Sequence, residues 1–224
     1  MHYTYILLLA FTLSYPLFKS FEKKVNYVSK WKHLLPALVF SASIFIAWDV
    51  WFTSIGIWQF NAQYVIGVFI AGLPIEEWLF FLIVPFSCVF IYEVMNYFVK
   101  KDILASYSKF ISTLLILSLI AIGALYFERI YTSITFISLG VFLFIHQFIL
   151  KSPYLGRFYL AWTVCLIPFT IVNGVLTAMP VLIYNNLYNL NIRIYTIPLE
   201  DVFYGMLNIL LVITIYEYCK LRKS

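Results

Sequence analysis

The sequence predicts an all-α integral membrane protein of about seven transmembrane helices, arranged as a parallel repeat of three helices, one linker helix and three helices. Three observations carry this. The chain is 63% hydrophobic and only 11% charged, with a mean hydropathy of +0.93. Soluble domains are about 45–50% apolar and about 25% charged. Apolar stretches long enough to cross a bilayer recur from end to end. The few polar residues inside them recur at a fixed spacing. This composition excludes a soluble globular protein, a disordered chain and a nucleic-acid module.

A span needs about 20 mostly apolar residues. Seven candidates are read at roughly 2–18, 34–53, 76–98, 110–127, 130–150, 157–178 and 199–219. The first has no basic segment before it and no small-residue cleavage site, so it is expected to be a retained helix. The basic residues set the orientation. Lys19, Lys23, Lys24, Lys30 and Lys32 follow span one, and Lys100, Lys101 and Lys109 follow span three. Lys151 and Arg157 follow span five, and Lys220, Arg222 and Lys223 follow span seven. Of the 15 Lys and Arg residues, only Arg129 and Arg193 fall on the other side. The positive-inside rule then predicts an external N-terminus and a cytoplasmic C-terminus in the cell (inner) membrane. The net charge of +5 is accounted for by topology and implies no acidic partner. Cys88, Cys165 and Cys219 lie in apolar spans without disulfide or metal spacing. The three histidines are scattered, so no metal site is expected.

A gap-free shift of 124 residues lays 36–94 on 160–218. Pro74 meets Pro198, Glu76 meets Glu200, Glu77 meets Asp201, and Glu93 meets Glu217. Asp49 meets Asn173. Every acid of the second window lands on an acid of the first. The expected domains are therefore a first three-helix repeat over 1–98, a linker with helix four over 99–128, and a second repeat over 129–224. An odd linker helix makes the units parallel, related by a pseudo-two-fold axis along the membrane normal. Equivalent residues then share a depth and can converge.

Carboxylates within a bilayer are costly, which makes them functional candidates. Asp49, Glu76, Glu77, Glu200 and Asp201 all fall in the outer half, with Asn173 as the counterpart of Asp49. Pro-x-acid-acid also reads as an ordinary helix start, because proline suits the first turn and acids favour the positive end of the helix dipole. However, residues 64–73, YVIGVFIAGL, carry no charge. They read as an interfacial or re-entrant segment that takes the turn below the membrane surface. Glu93 and Glu217 lie near the inner end, close to Lys100, Lys101 and Lys220, and are expected to form structural ion pairs. Glu22, Asp102 and Glu128 are loop charges. Trp48, Trp51 and Trp58 near Asp49, and Trp78, Phe80 and Phe81 after Glu77, read either as an interfacial belt or as a π-lined slot able to stabilise a cation.

The doubled motif, PIEE at 74–77 and PLED at 198–201, resembles the lycopene cyclase domain family. So does the WDVWFTSIGIWQFN stretch at 48–61. The likeness is to the tandem form and covers nearly the whole length. The second copy departs from it at Asn173, which has no flanking tryptophans.

The resemblance implies redox-neutral cyclisation of the ψ ends of lycopene to β-ionone rings. An acid protonates the terminal alkene, the tertiary cation closes the ring, and a base removes a proton. Glu76 and Glu200 are expected to face the axis, with Glu77 and Asp201 close behind and Asp49 as a further acid. The assignment of acid and base is left open. Trp48, Trp51, Trp78, Phe81 and Asn173 are the expected substrate contacts. The expected partners are lycopene, membrane lipid and, as candidates, phytoene synthase or other carotenoid enzymes, with no nucleic acid. No cofactor is expected from the sequence: its eight glycines form no G-x-G-x-x-G. A requirement for a reduced flavin or another helper is left open.

The rival readings are a small membrane transporter with the same repeat and a non-catalytic membrane subunit of a carotenoid-synthesis complex. A retinal photoreceptor needs a lysine within the last span, and 199–219 has none. A prenyltransferase needs aspartate-rich magnesium motifs, which are missing.

Overall fold

A computed structural model describes residues 2–222. Lys223, counted among the basic residues that set the orientation, lies outside them. Seven α-helices account for most of the described residues: α1 (Thr4–Lys19), α2 (Trp31–Ser54), α3 (Ile75–Phe98), α4 (Ala105–Leu125), α5 (Ile130–Phe144), α6 (Leu155–Ala178) and α7 (Leu199–Leu221). A 3-10 turn, Tyr27–Lys30, leads into α2, and a π turn, Ile145–Ile149, prolongs α5. The expected spans coincide with these helices to within a few residues at most ends. Six of the helical segments are long and apolar enough to cross a membrane. The first is shorter. Its 16 residues reach about 24 Å, against about 30 Å of bilayer hydrocarbon.

The helices face two environments. Phe18, Leu117, Leu125 and Ile167 point outwards and are each more than 60% exposed. Such an apolar exterior is stable only against lipid. Inside, Phe45, Phe81, Phe158, Leu210 and Tyr216 form a continuous core. The linker helix α4 packs on α5 through small residues. A Cβ at Gly123 would come within 2.8 Å of Ile137, and one at Gly140 within 2.8 Å of Ile120. Glycine at both places lets the backbones approach.

Six short strands join the helices at one end: β1 (Trp58–Phe60), β2 (Phe69–Ile70), β3 (Leu73–Pro74), β4 (Leu182–Tyr184), β5 (Arg193–Ile194) and β6 (Ile197–Pro198). The uncharged stretch 64–73 is thus a loop running into a β2–β3 hairpin. Ala71 and Gly72 form its turn, both at positive φ (52° and 83°). Glycine tolerates that conformation at no steric cost. Val68, Phe69 and Ile70 keep their side chains exposed. The hairpins β2–β3 and β5–β6 end at Pro74 and Pro198, the N-caps of α3 and α7.

The two halves match element by element. Helices α2 and α6, the strands, and α3 and α7 recur at the 124-residue spacing. Two contacts mark the axis that relates them. At the hairpin end β1 pairs antiparallel with β4, and Gln59 sits opposite Ile183, its own repeat mate. At the opposite, basic end the Tyr92 hydroxyl donates to Glu217 (3.1 Å) and the Tyr216 hydroxyl donates to Glu93 (2.8 Å). These are the same bond made twice across a two-fold. Lys220 pairs with both acids, at 3.3 Å to Glu93 and 3.0 Å to Glu217, and Lys30 also pairs with Glu93. The expected ion pairs therefore form, but with Lys30 rather than Lys100 or Lys101 as the second cation. Lys100 instead lies over the Tyr97 ring.

Candidate functional site

The helix starts at Pro74 and Pro198 place two adjacent acids each in a first turn. Neighbouring helical residues point about 100° apart, so each pair splits. Glu76 and Glu200 turn towards the loops. Oε1 of Glu76 accepts the Ile66 N–H at 2.7 Å, and Oε1 of Glu200 accepts the Leu190 N–H at 2.7 Å. The Thr132 hydroxyl also donates to Glu200, at 2.6 Å. Both side chains are fully buried, and Oε2 of each has no hydrogen-bond partner. The expectation that these two face the axis is corrected: they tie the loops to the helix ends.

Glu77 and Asp201 are the pair that faces inwards. Together with Asp49 from α2 they head one cavity of about 380 Å³. All three are buried. Phenols hold two of them. Tyr5 donates to Glu77 at 2.5 Å. Tyr131 and Tyr184 donate to the two oxygens of Asp201 at 2.6 and 2.7 Å. Tyr184 stands on β4, and burial, reinforced by the Asp201 charge, pushes its phenol well above the usual range. It therefore stays an O–H donor. Asp49 differs: its Oδ2 is buried with no partner.

Aromatic rings surround the acids. Trp58 meets Tyr131 edge-on at 5.2 Å and Tyr184 at 5.9 Å, and Tyr131 stacks on Tyr184 at 6.2 Å. Phe81 and Tyr204 complete the wall. Away from the acids the cavity runs between α1, α3, α6 and α7 towards Pro16 and Ile91. Its sides include Phe11, Tyr15 and Ile171, which are 71, 63 and 56% exposed. The cavity thus opens sideways between α1 and α6 onto the apolar exterior.

The other expected contacts divide. Phe81 and Asn173 line the cavity, and the Asn173 amide donates to the Phe169 carbonyl at 3.2 Å. Trp78 does not: its indole N–H reaches the Ile70 carbonyl at 3.3 Å and braces the hairpin. Trp51 is 46% exposed on the outer surface. Trp48 lies one layer back, packed on Tyr204 at 5.4 Å. Sequence reasoning missed the tyrosines. Tyr5 and Tyr131 are repeat mates, but at a spacing of 126, which the gap-free shift conceals. Among the described residues no group of three or more His, Cys, Asp or Glu could hold a metal ion.

Fold and cavity together define an all-α integral membrane protein whose buried carboxylates head an apolar chamber open to its lipid-facing side. Comparison with known proteins supplies the family. The model of the family described as lycopene cyclase matches residues 2–95 and 128–219, one block in each half. The chain belongs to the lycopene cyclase family, whose members are cyclases of carotenoid biosynthesis. Neither the curated proteins nor the solved structures compared with it gave a match.

Proposed function

We propose that this protein cyclises the ψ ends of lycopene to β-ionone rings, giving γ-carotene and then β-carotene, by acid catalysis without net redox change. One observation carries the proposal. Asp49, Glu77 and Asp201 are buried together at the head of a mostly apolar and aromatic cavity that opens sideways. A transporter of polar solutes needs a polar path, whereas these walls suit a hydrocarbon.

The hydrogen bonds divide the roles. A carboxylate that receives phenol donors is satisfied as an anion. This describes Glu77 and Asp201. Asp49 receives no such donor at Oδ2 and is suited to be the neutral acid that keeps a proton to give. Asp49 protonates the terminal alkene. The resulting tertiary cation is attacked by the neighbouring double bond, and the ring closes. The new ring cation lies against the faces of Trp58, Tyr131 and Tyr204 and near the two carboxylates, all of which stabilise positive charge. Glu77 or Asp201 then removes the ring proton, and its return to Asp49 restores the starting state. Glu76 and Glu200 act at a distance by fixing the loops that carry Trp58 and Tyr184.

The two matched halves act as lycopene-cyclase-like units, 1–98 and 129–224, sharing this one centre across the linker. With the basic end in the cytoplasm, the N-terminus and the acids lie towards the outside. Phytoene synthase and other carotenoid enzymes are candidate neighbours at the membrane.

The deciding experiment is expression in bacteria that accumulate lycopene, followed by carotenoid analysis. Cyclic products at the expense of lycopene are expected. Unchanged lycopene in the presence of well-inserted protein would refute the proposal.

A further inference from the structure

The repeat builds a second groove. It measures about 320 Å³ and lies between α2, α5 and α7, where the main cavity has α6, α1 and α3. Seven of its nine residues are repeat mates of residues that line the main cavity. Ser138 stands where the open side has Thr12, and Phe45 stands where it has Phe169. By symmetry this groove should be a second way to the acids, yet none of the three acids lines it.

One difference accounts for this. Val172 lines the open route, and its mate in the second groove is Trp48. The Trp48 ring stacks on Phe45 at 5.6 Å and meets Phe52 at 5.7 Å and Tyr204 at 5.4 Å. Tyr204 in turn lines the acid cavity. The Trp48–Tyr204 contact is therefore a partition, with the acids on one side and the second groove on the other. A valine removes most of that bulk, which is why the equivalent position on the other side stays open.

We propose that the hydrocarbon reaches Asp49, Glu77 and Asp201 by one route only, the opening between α1 and α6, and that Trp48 closes the repeat-related route between α5 and α2. Trp48 is thus a specificity-determining residue that makes a symmetric scaffold single-doored. This rests on the cyclase reading above.

The test compares repeat mates, in membranes where the unmodified protein is first shown to consume lycopene. If the unmodified protein makes no cyclic product, the cyclase reading fails and not the route. Thr12→Cys and Ser138→Cys are each treated with a benzyl methanethiosulfonate, with mass spectrometry to establish modification. Wild type treated alike sets the background from Cys88, Cys165 and Cys219. Modification at position 12 is expected to lower the rate roughly tenfold or more, and a thiol reductant is expected to restore it, which shows that the fold survived. Modification at position 138 is expected to leave the rate unchanged. Val172→Trp, which places the closing residue in the open route, is expected to show the same loss without any reagent. Activity that persists after modification at position 12, or that is lost after modification at position 138, would overturn the proposal.

Discussion

Glu76 and Glu77 are adjacent, both buried and chemically identical, yet the structure separates their surroundings. Replacing each by Gln should give opposite results. In Glu77→Gln the amide carbonyl can still accept the Tyr5 hydroxyl, bonded to Glu77 at 2.5 Å in the unmodified protein, so the fold is retained while the anion beside the cavity is lost. Whether Glu77 is the base or the charge that stabilises the ring cation beside Asp201, a group so positioned contributes about 10²- to 10⁴-fold, equivalent to about 3–5 kcal/mol of barrier. Product formation per molecule should fall by that factor. In Glu76→Gln the carbonyl still accepts the Ile66 N–H, but a charged bond becomes a neutral one. From the usual worth of each, the loss is about 1–2 kcal/mol of stability. Activity per folded molecule should stay within a few-fold of wild type. The assay is lycopene conversion in isolated membranes, normalised to folded protein by detergent size-exclusion chromatography. Equal losses in the two variants at equal folded protein would refute the division of roles, as would an active Glu77→Gln.

Other expectations follow from the same geometry. Asp49→Asn should stop conversion while leaving membrane insertion intact, so residual cyclic carotenoid near wild-type level would exclude Asp49 as the proton donor. Tyr131→Phe and Tyr184→Phe each remove one donor to Asp201, and with a buried bond to a charged group worth about 1.5–3 kcal/mol each should slow cyclisation roughly tenfold or more. Conversion by the double variant no slower than by either single one would contradict this. Glu93→Gln weakens the basic-end lock, in which Glu93 is buried but its lysines are about a third exposed. The expected cost is about 1–3 kcal/mol, seen as a lower melting temperature in detergent with activity per folded molecule preserved.

The helices were legible because hydropathy and length suffice to mark them. The acid-bearing starts of α3 and α7 were legible too, since proline followed by acids suits a helix N-terminus. Which acid faces the cavity was not. Glu76 and Glu77 differ only in rotation about the helix axis, and that rotation is set by packing and by the Ile66 N–H, which reaches Glu76 across the loop. The β1–β4 pair was also invisible. Three residues on each side, distant in sequence, leave no periodicity, and their pairing depends on the halves already lying side by side. Tyr5 and Tyr131 escaped because α2 starts 27 residues after the start of α1 but α6 only 25 after the start of α5, which breaks a gap-free repeat. The separate places of the tryptophans were hidden for a related reason. Composition places Trp48, Trp51 and Trp78 near the acids, but only the helix orientation tells a cavity wall from a partition, a lipid-facing ring or a hairpin brace.

Asp49 and Asn173 occupy equivalent places in the two halves and line the same cavity. A strictly duplicated chain would set two aspartates there, a fourth carboxyl in a chamber that already holds Asp49, Glu77 and Asp201. One copy is enough, because both halves serve a single centre. On the proposed cyclase reading the halves are therefore not interchangeable, and the chain works as a tethered heterodimer. Two copies of the first half would carry a surplus acid and no open door, and two copies of the second would have no counterpart of Asp49.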